Sequence, residues 1–301
     1  MSELLPPYPF LLDKLNSGKV IPFLGAGASL GGRIPGAKWE KGNKNFLPLG
    51  SELAGHLAET TQFPSEEACD LTKVAQYCNV AIGRTALNDE LHDIFNCDYP
   101  LTSLHRFLAG VDAPLLIITT NYDDLIERAL DERNREVGRT ARPYDVVIHN
   151  TDVKGKGEHL LWWPYGAAEP DERVNPNKLD INLEERTVVY KMHGAVDRKQ
   201  RERDNYVITE DDYVDFLARM TKNKAVPSIF ADPFQTRHFL FLGYGLNDWN
   251  LRVVLNRIPK GIRSWAIQYQ PRALERRFWQ ERGVEVYDLK LDEFVHQLTS
   301  R

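Results

Sequence analysis

The stretch Lys19-Val20-Ile21-Pro22-Phe23-Leu24-Gly25-Ala26-Gly27-Ala28-Ser29-Leu30-Gly31-Gly32 decides how the chain is read. An apolar run from Val20 to Leu24 ends in closely spaced glycines. That is the pattern of a buried parallel strand turning sharply into a loop or helix. Glycine accepts positive φ and, having no Cβ, lets a backbone come close to a ligand. Free amides at the start of a following helix favour a phosphate. Gly25-x-Gly27 does not complete a dinucleotide fingerprint, because that pattern needs glycine where Leu30 stands. No Gly-Lys-Ser/Thr follows to make a P-loop either. Two readings stand at this point: a phosphate cradle of another kind, or a tight turn and nothing more.

Working outward, the same arrangement recurs. Pro114 to Thr120 is a second apolar strand, broken by Asn121-Tyr122-Asp123-Asp124 ahead of a helix through Leu125, Ile126 and Leu130. A third, Thr187 to Met192, runs into His193-Gly194, and a fourth, His238 to Leu242, runs into Gly243-Tyr244-Gly245. Polar residues at the carboxyl ends of buried parallel strands are where such sheets bind ligands. Asn121 or Asp123 also suits a helix cap, and one residue can do both jobs. His193 titrates near neutrality and suits general-base work. Further strands are expected at Tyr144–His149, Ser264–Tyr269 and Val284–Tyr287. Strands alternating with helices predict an α/β fold, one doubly wound parallel sheet. Ser51 and Thr209 are the expected caps of two of the helices, and residues 65–96 have helical spacing. Residues 31–50 predict a long mobile loop, 131–143 a charged loop, and 150–182 an irregular surface excursion packed down by Trp162 and Trp163.

At 301 residues the chain can bury a sizeable core, and a single domain is expected, with its core over about 10–295. A net charge of −5, from 38 basic and 43 acidic residues, argues against a duplex-binding surface. The basic run Arg198 to Arg203 is expected to be a solvated loop rather than a nucleic-acid contact. No secretory leader or membrane span is legible, and three widely spaced cysteines, Cys69, Cys78 and Cys97, fit a reducing, cytoplasmic setting without a zinc ribbon.

Taken together, the four turns resemble the sirtuin family. Gly25-Ala26-Gly27-Ala28-Ser29 is similar to that family's Gly-Ala-Gly-x-Ser turn, and Thr120-Asn121-Tyr122-Asp123 to the end of its Thr-Gln-Asn-x-Asp, with Thr120 in place of glutamine. His193-Gly194 matches its His-Gly pair, and Gly243-Tyr244-Gly245 lies where it has a Gly-Thr-Ser turn. The two Cys-x-x-Cys pairs that hold zinc in protein deacylases are absent from the sequence. The wording around Asn121, His193 and Gly243-Tyr244-Gly245-Leu246-Asn247-Asp248 is similar to bacterial sirtuin-like domains of anti-phage defence, which act as NAD hydrolases.

The resemblance implies a Rossmann-like core without zinc and cleavage of NAD to nicotinamide and ADP-ribose. It implies that Asn121 positions ribose hydroxyls or water, that Asp123 orients the carboxamide and that His193 is the base. Gly25, Ala26, Gly27 and Ser29 would face the pyrophosphate, with Thr120 beside the cofactor and Gly243, Tyr244 and Asn247 near the adenosine. Asp248 is an equal candidate for a helix cap. A separate sensor protein (a translocase ATPase, an Argonaute-like protein or a nucleotide-processing enzyme) or a homo-oligomer would supply the trigger. The alternatives are a non-catalytic nucleotide sensor, a protein deacylase or ADP-ribosyltransferase, and a structural subunit.

Overall fold

The computed structural model describes residues 5–34, 36–64, 68–138, 142–150, 160–221, 226–244 and 261–300. Helix α1 (Tyr8–Asn16) leads into β1 (Val20–Leu24), whose five residues are all buried. Helices α2 (Gly50–Thr61), α3 (Leu71–Ile82), α4 (Arg84–Phe95) and α5 (Ser103–Ala109) precede β2 (Leu116–Thr119). Helix α6 (Leu125–Val137) leads to β3 (Tyr144–His149), then β4 (Leu160–Trp163), β5 (Asp171–Val174), β6 (Thr187–Lys191), β7 (Gly194–Ala195) and β8 (Asn205–Tyr206). Helices α7 (Glu210–Thr221) and α8 (Ala231–Thr236) come before β9 (His238–Leu242). The described chain ends with β10 (Ser264–Gln268), α9 (Ala273–Glu281), β11 (Val284–Asp288) and α10 (Leu291–Thr299).

Among the described residues nine strands form one sheet in the order β11-β10-β9-β1-β2-β6-β3-β4-β5. Pairing is parallel from β11 through to β3. Strand β1 sits centrally, with β9 on one side over its full length and β2 on the other from Phe23. The chain winds outward on the β2 side, then returns to lay β9 against the opposite edge of β1. The switch point of the sheet is therefore at the carboxyl ends of β1, β2 and β9, where such folds leave a crevice.

Alternation along the strands supplies two cores. Ile21, Phe23, Phe239 and Phe241 point to one face with Phe216, Phe230 and Trp279, whereas Val20, Leu24, Leu240 and Leu242 join Leu11, Leu108 and Phe294 on the other. Burying one such large apolar side chain contributes about 1.5–3 kcal/mol, so the all-apolar reading of 20–24 and 238–242 follows from two-sided burial. A third cluster packs α2, α3 and α4 with Tyr122 and Tyr206. Pro22 is tolerated mid-sheet for a simple reason. Lys19 and Gly25 exchange backbone bonds with the β9 side, which turns the Pro22 nitrogen toward β2, and β2 pairs only from Phe23 onward.

The α/β, mostly parallel sheet agrees with the expected class, but its far edge is mixed. Part of the stretch expected to be irregular supplies β4 and β5, paired antiparallel beyond β3. Trp162 Nε1 donates to the buried Asp145 carboxylate (3.2 Å), so this tryptophan ties β4 to β3. Residues 131–137 continue α6 rather than forming a loop, because Ala129 and Leu130 are buried while the charges point outward. Of the helical stretch expected at 65–96, residues 65–67 lie outside the described residues, and the rest holds two helices separated at Gly83, whose φ is +85°. Ser51 is not a cap: α2 starts one residue earlier, and Glu52 accepts from the Leu49 amide. Thr209 does cap α7, its hydroxyl accepting from the Asp212 amide at 3.1 Å.

At the switch point the two glycine turns interlock. The Gly27 amide donates to the Gly243 carbonyl (2.9 Å) and the Gly25 amide to that of Leu242 (3.0 Å). A Cβ on Gly243, which has φ +75°, would lie 2.2 Å from the Ala28 nitrogen, and one on Gly27 would lie 2.8 Å from the Gly243 Cα. Glycine is required here for backbone-to-backbone contact. Gly243→Ala is expected to cost at least about 2 kcal/mol, from positive φ and this clash together. A urea midpoint within experimental error of wild type would refute it.

Candidate functional site

A cavity of about 230 Å³ opens at the switch point. From the turn after β1 it is lined by Ala26 and Ser29, and from the turn after β2 by Thr120, Asn121 and Asp123. His193, following β6, and Gly243 and Tyr244, following β9, complete the polar side. The sequence-predicted residues are thus brought together from four strand ends. Gly25 and Gly27 lie behind the wall in the interlock, and Asn247, with Gly245, Leu246 and Asp248, lies outside the described residues. Sequence reasoning missed the apolar wall, which comes from Leu47, Pro48, Leu53, Leu71 and Phe95, with Tyr213 at its edge.

Hydrogen bonds fix Asn121 in one orientation. Its Nδ2 lies 3.0 Å from the Gly25 carbonyl, which can only accept, so this atom must be the amide nitrogen. The same nitrogen donates to Ser29 Oγ (3.1 Å), and Ser29 Oγ donates to Asp123 Oδ2 (3.0 Å). Both amide protons are committed, and no described group donates to Oδ1. Asp123 Oδ1 meanwhile accepts from the Leu125 amide (3.1 Å), so Asp123 both starts α6 and braces the site. Thr120 Oγ1 meets Tyr244 Oη at 2.8 Å, and that phenol donates to the Leu24 carbonyl (3.0 Å), tying the β2 and β9 turns to β1.

His193 is 2 % exposed, wedged edge-on between the rings of Tyr213 and Phe216, and its Nε2 has no hydrogen-bond partner. Burial, with a smaller push from His149, brings its pKa down to about 3. The ring is therefore neutral at physiological pH, and a buried polar atom without a partner calls for one. His149, held down to about 3 by burial and then Arg219, and His105, held to about 4 chiefly by burial, are neutral as well.

Within the stretch expected to be a mobile loop, the described residues 33–34 and 36–49 are pinned rather than loose. Glu52 accepts from the amides of Trp39 (2.9 Å) and Leu49 (2.8 Å) and pairs with Arg33, which also donates to the Ala37 carbonyl. Burial alone would raise the Glu52 carboxyl, yet Arg33 and these amides outweigh it and bring it down to about 2. Trp39 and Leu47 are consequently buried, and the strap forms one wall of the cavity. The basic run lies at the surface, with Lys199, Arg201 and Glu202 exposed, but its arginines are held in ion pairs. Arg198 binds Asp98 and Asp124, Arg201 binds Asp89 and Asp93, and Arg203 binds Glu169 and Glu172. Among the described residues no three His, Cys, Asp or Glu side chains are grouped to hold a metal, and Cys69, Cys78 and Cys97 are free thiols. No helix among them is long and apolar enough to cross a membrane.

The model of the SIR2-like domain matches residues 115–287, more than half of the chain and the stretch holding Asn121, His193 and Gly243. The chain belongs to the SIR2-like family. Its similarity to curated relatives reaches further toward the amino terminus. Defense-associated sirtuin 2 of Bacillus subtilis is 25% identical over 92% of this chain and 24% of its own length. The protein named NAD(+) hydrolase ThsA of Enterococcus faecium is 26% identical over 96% of this chain and 50% of its own. Its namesake of Acinetobacter baumannii is 30% identical over 69% of this chain and 35% of its own. This SIR2-like chain thus spans between a quarter and a half of the length of these relatives.

Three of the buried histidines, His105, His149 and His193, give a signed pH dependence. Unfolded histidine takes a proton near pH 6.5, whereas His105, His149 and His193 refuse it until about 3–4. Their contribution is whole above 6.5 and is lost as pH falls from there toward 3–4, at about 1.4 kcal/mol per pH unit for each histidine. Urea midpoints should fall clearly from pH 7 to pH 5. A constant midpoint across that window would show that these imidazoles protonate in the fold.

Proposed function

We propose that this chain is an NAD glycohydrolase that cleaves the nicotinamide–ribose bond, acting in bacterial anti-phage defence. The observation that carries this reading is the convergence of two unpartnered polar atoms, Asn121 Oδ1 and His193 Nε2, on one cavity at the switch point. Relatives named NAD(+) hydrolase ThsA and Defense-associated sirtuin 2 support it. The cavity, about 230 Å³, suits the nicotinamide–ribose end of the dinucleotide. In this reading the pyrophosphate runs past Ala26 and Ser29, and the adenosine toward Gly243 and Tyr244.

In the reaction the ribose C1′–N1 bond breaks and its electron pair returns to the pyridinium nitrogen, so nicotinamide leaves neutral without needing a proton. The sugar passes through an oxocarbenium-like state. Water adds to C1′ and loses a proton, giving ADP-ribose. Asn121 Oδ1 offers an acceptor that orients a ribose hydroxyl or the water, and Asp123 holds the turn and orients the carboxamide. His193 accepts the proton. Its low pKa makes it a weak base, yet keeps it in the unprotonated form, and an oxocarbenium centre asks little activation of its nucleophile. The trigger lies with oligomerisation or with a separate sensor.

Incubation with NAD should release nicotinamide and ADP-ribose. His193→Ala and Asn121→Ala should each lower turnover by about 10²–10⁴-fold while NAD affinity changes little. Melting is measured beside the rate. NAD that stays bound but intact would favour a nucleotide sensor, and turnover preserved in both variants would remove these residues from the chemistry.

A further inference from the structure

Lys191 is a lysine that neither the strand pattern nor the cavity explains. It ends β6 with its side chain 2 % exposed, in a position where an unpaired ammonium is costly. Its Nζ donates to the backbone carbonyl of Asp123 and to Glu127 Oε1 (2.9 Å). Glu127 stands in the first turn of α6, and its other carboxylate oxygen is buried without a hydrogen-bond partner. The pair is thus not tuned for its own sake, since a buried ion pair is commonly matched or bettered in stability by apolar residues. What an apolar residue does not supply is a donor to the Asp123 carbonyl.

That carbonyl begins a continuous polar chain. Lys191 Nζ holds the Asp123 peptide, and the Asp123 carboxylate accepts from Ser29 Oγ. Ser29 Oγ accepts from Asn121 Nδ2, and the same nitrogen donates to the Gly25 carbonyl. Every link crosses between strand ends: β6 to the β2 turn, the β2 turn to the β1 turn, and back to Asn121. Strand β6 is itself fixed there, because the Met192 amide donates to the Thr119 carbonyl at 2.9 Å.

We propose that Lys191 is a positioning residue for the reaction, acting from behind the cavity through Asp123 and Ser29 to hold Asn121 Oδ1 toward the substrate. The proposal rests on the hydrolase reading above. Glu127 serves only to neutralise the ammonium. The two roles separate in variants. Lys191→Met leaves Glu127 buried and unpaired and should melt earlier. Lys191→Met combined with Glu127→Leu removes both charges and should recover melting. Its kcat should nevertheless stay at least tenfold below wild type, with KM for NAD within threefold, because misplacing a reacting group alone costs about 10²-fold. Glu127→Gln, which keeps the Lys191 donor on Asp123, should hold kcat within threefold.

The experiment measures kcat and KM below the lowest melting transition, together with the Asn121 side-chain amide signals of ¹⁵N-asparagine-labelled protein. Those signals should move in the double variant and stay in place in Glu127→Gln. A double variant that regains both melting and kcat would overturn the proposal, as would Glu127→Gln losing turnover as deeply as the double variant. Wild-type protein that leaves NAD intact would instead refute the hydrolase reading, and the amide signals then decide Lys191 alone: unmoved in the double variant, they overturn its role.

Discussion

Two peptide backbones in contact set the geometry of everything at the carboxyl edge of the sheet. Gly27 donates to Gly243 across the switch point, with no Cβ on either side to hold the turns apart. Because β1 is flanked by β9 and β2, this contact fixes how the turn after β1 faces the turn after β2. From there the Asn121 amide reaches the Gly25 carbonyl, and Tyr244 bridges Thr120 to Leu24. A side chain at either glycine would move these partners by more than a hydrogen bond tolerates.

The chemistry offered by the cavity is that of acceptor lone pairs rather than free positive charge. Cations nearby are tied down, Lys191 by Glu127 and Arg198 by Asp98 and Asp124. Burial keeps His193 neutral, and Asp123 accepts on both oxygens. For the proposed reaction this suits a substrate that carries its positive charge into the site and passes it to the sugar, since acceptors stabilise the developing cation. The apolar wall from Leu47 to Phe95 removes competing water and strengthens those interactions.

Much of this was legible in the sequence because two-sided burial writes continuous apolar runs. Val20–Leu24, Leu116–Thr119, Thr187–Lys191 and His238–Leu242 stand where they were expected, and the polar residues that end them meet at one cavity. What stayed illegible depends on distant partners. The strap over 36–49 reads as free loop in the sequence because its anchor is a single carboxylate, Glu52, that reads as an ordinary helix residue. Strands β4 and β5 were hidden because short edge strands lack a two-sided apolar run. Lys191 carries its own signal in the sequence, a charge inside an otherwise apolar strand. The glycines were read as room for a ligand, and the structure shows that they also make room for one another.

The saturated amide of Asn121 has a consequence for selectivity among small molecules. With both protons held by Gly25 and Ser29, this side chain cannot rotate to greet a carbonyl without breaking two hydrogen bonds. The pocket therefore discriminates by polarity as well as shape. A compound that brings a hydroxyl or N–H to Oδ1 gains a bond, whereas an isostere presenting an ether, a fluorine or a carbonyl there meets lone pair against lone pair. Inhibitor chemistry aimed at this pocket should place its donor there.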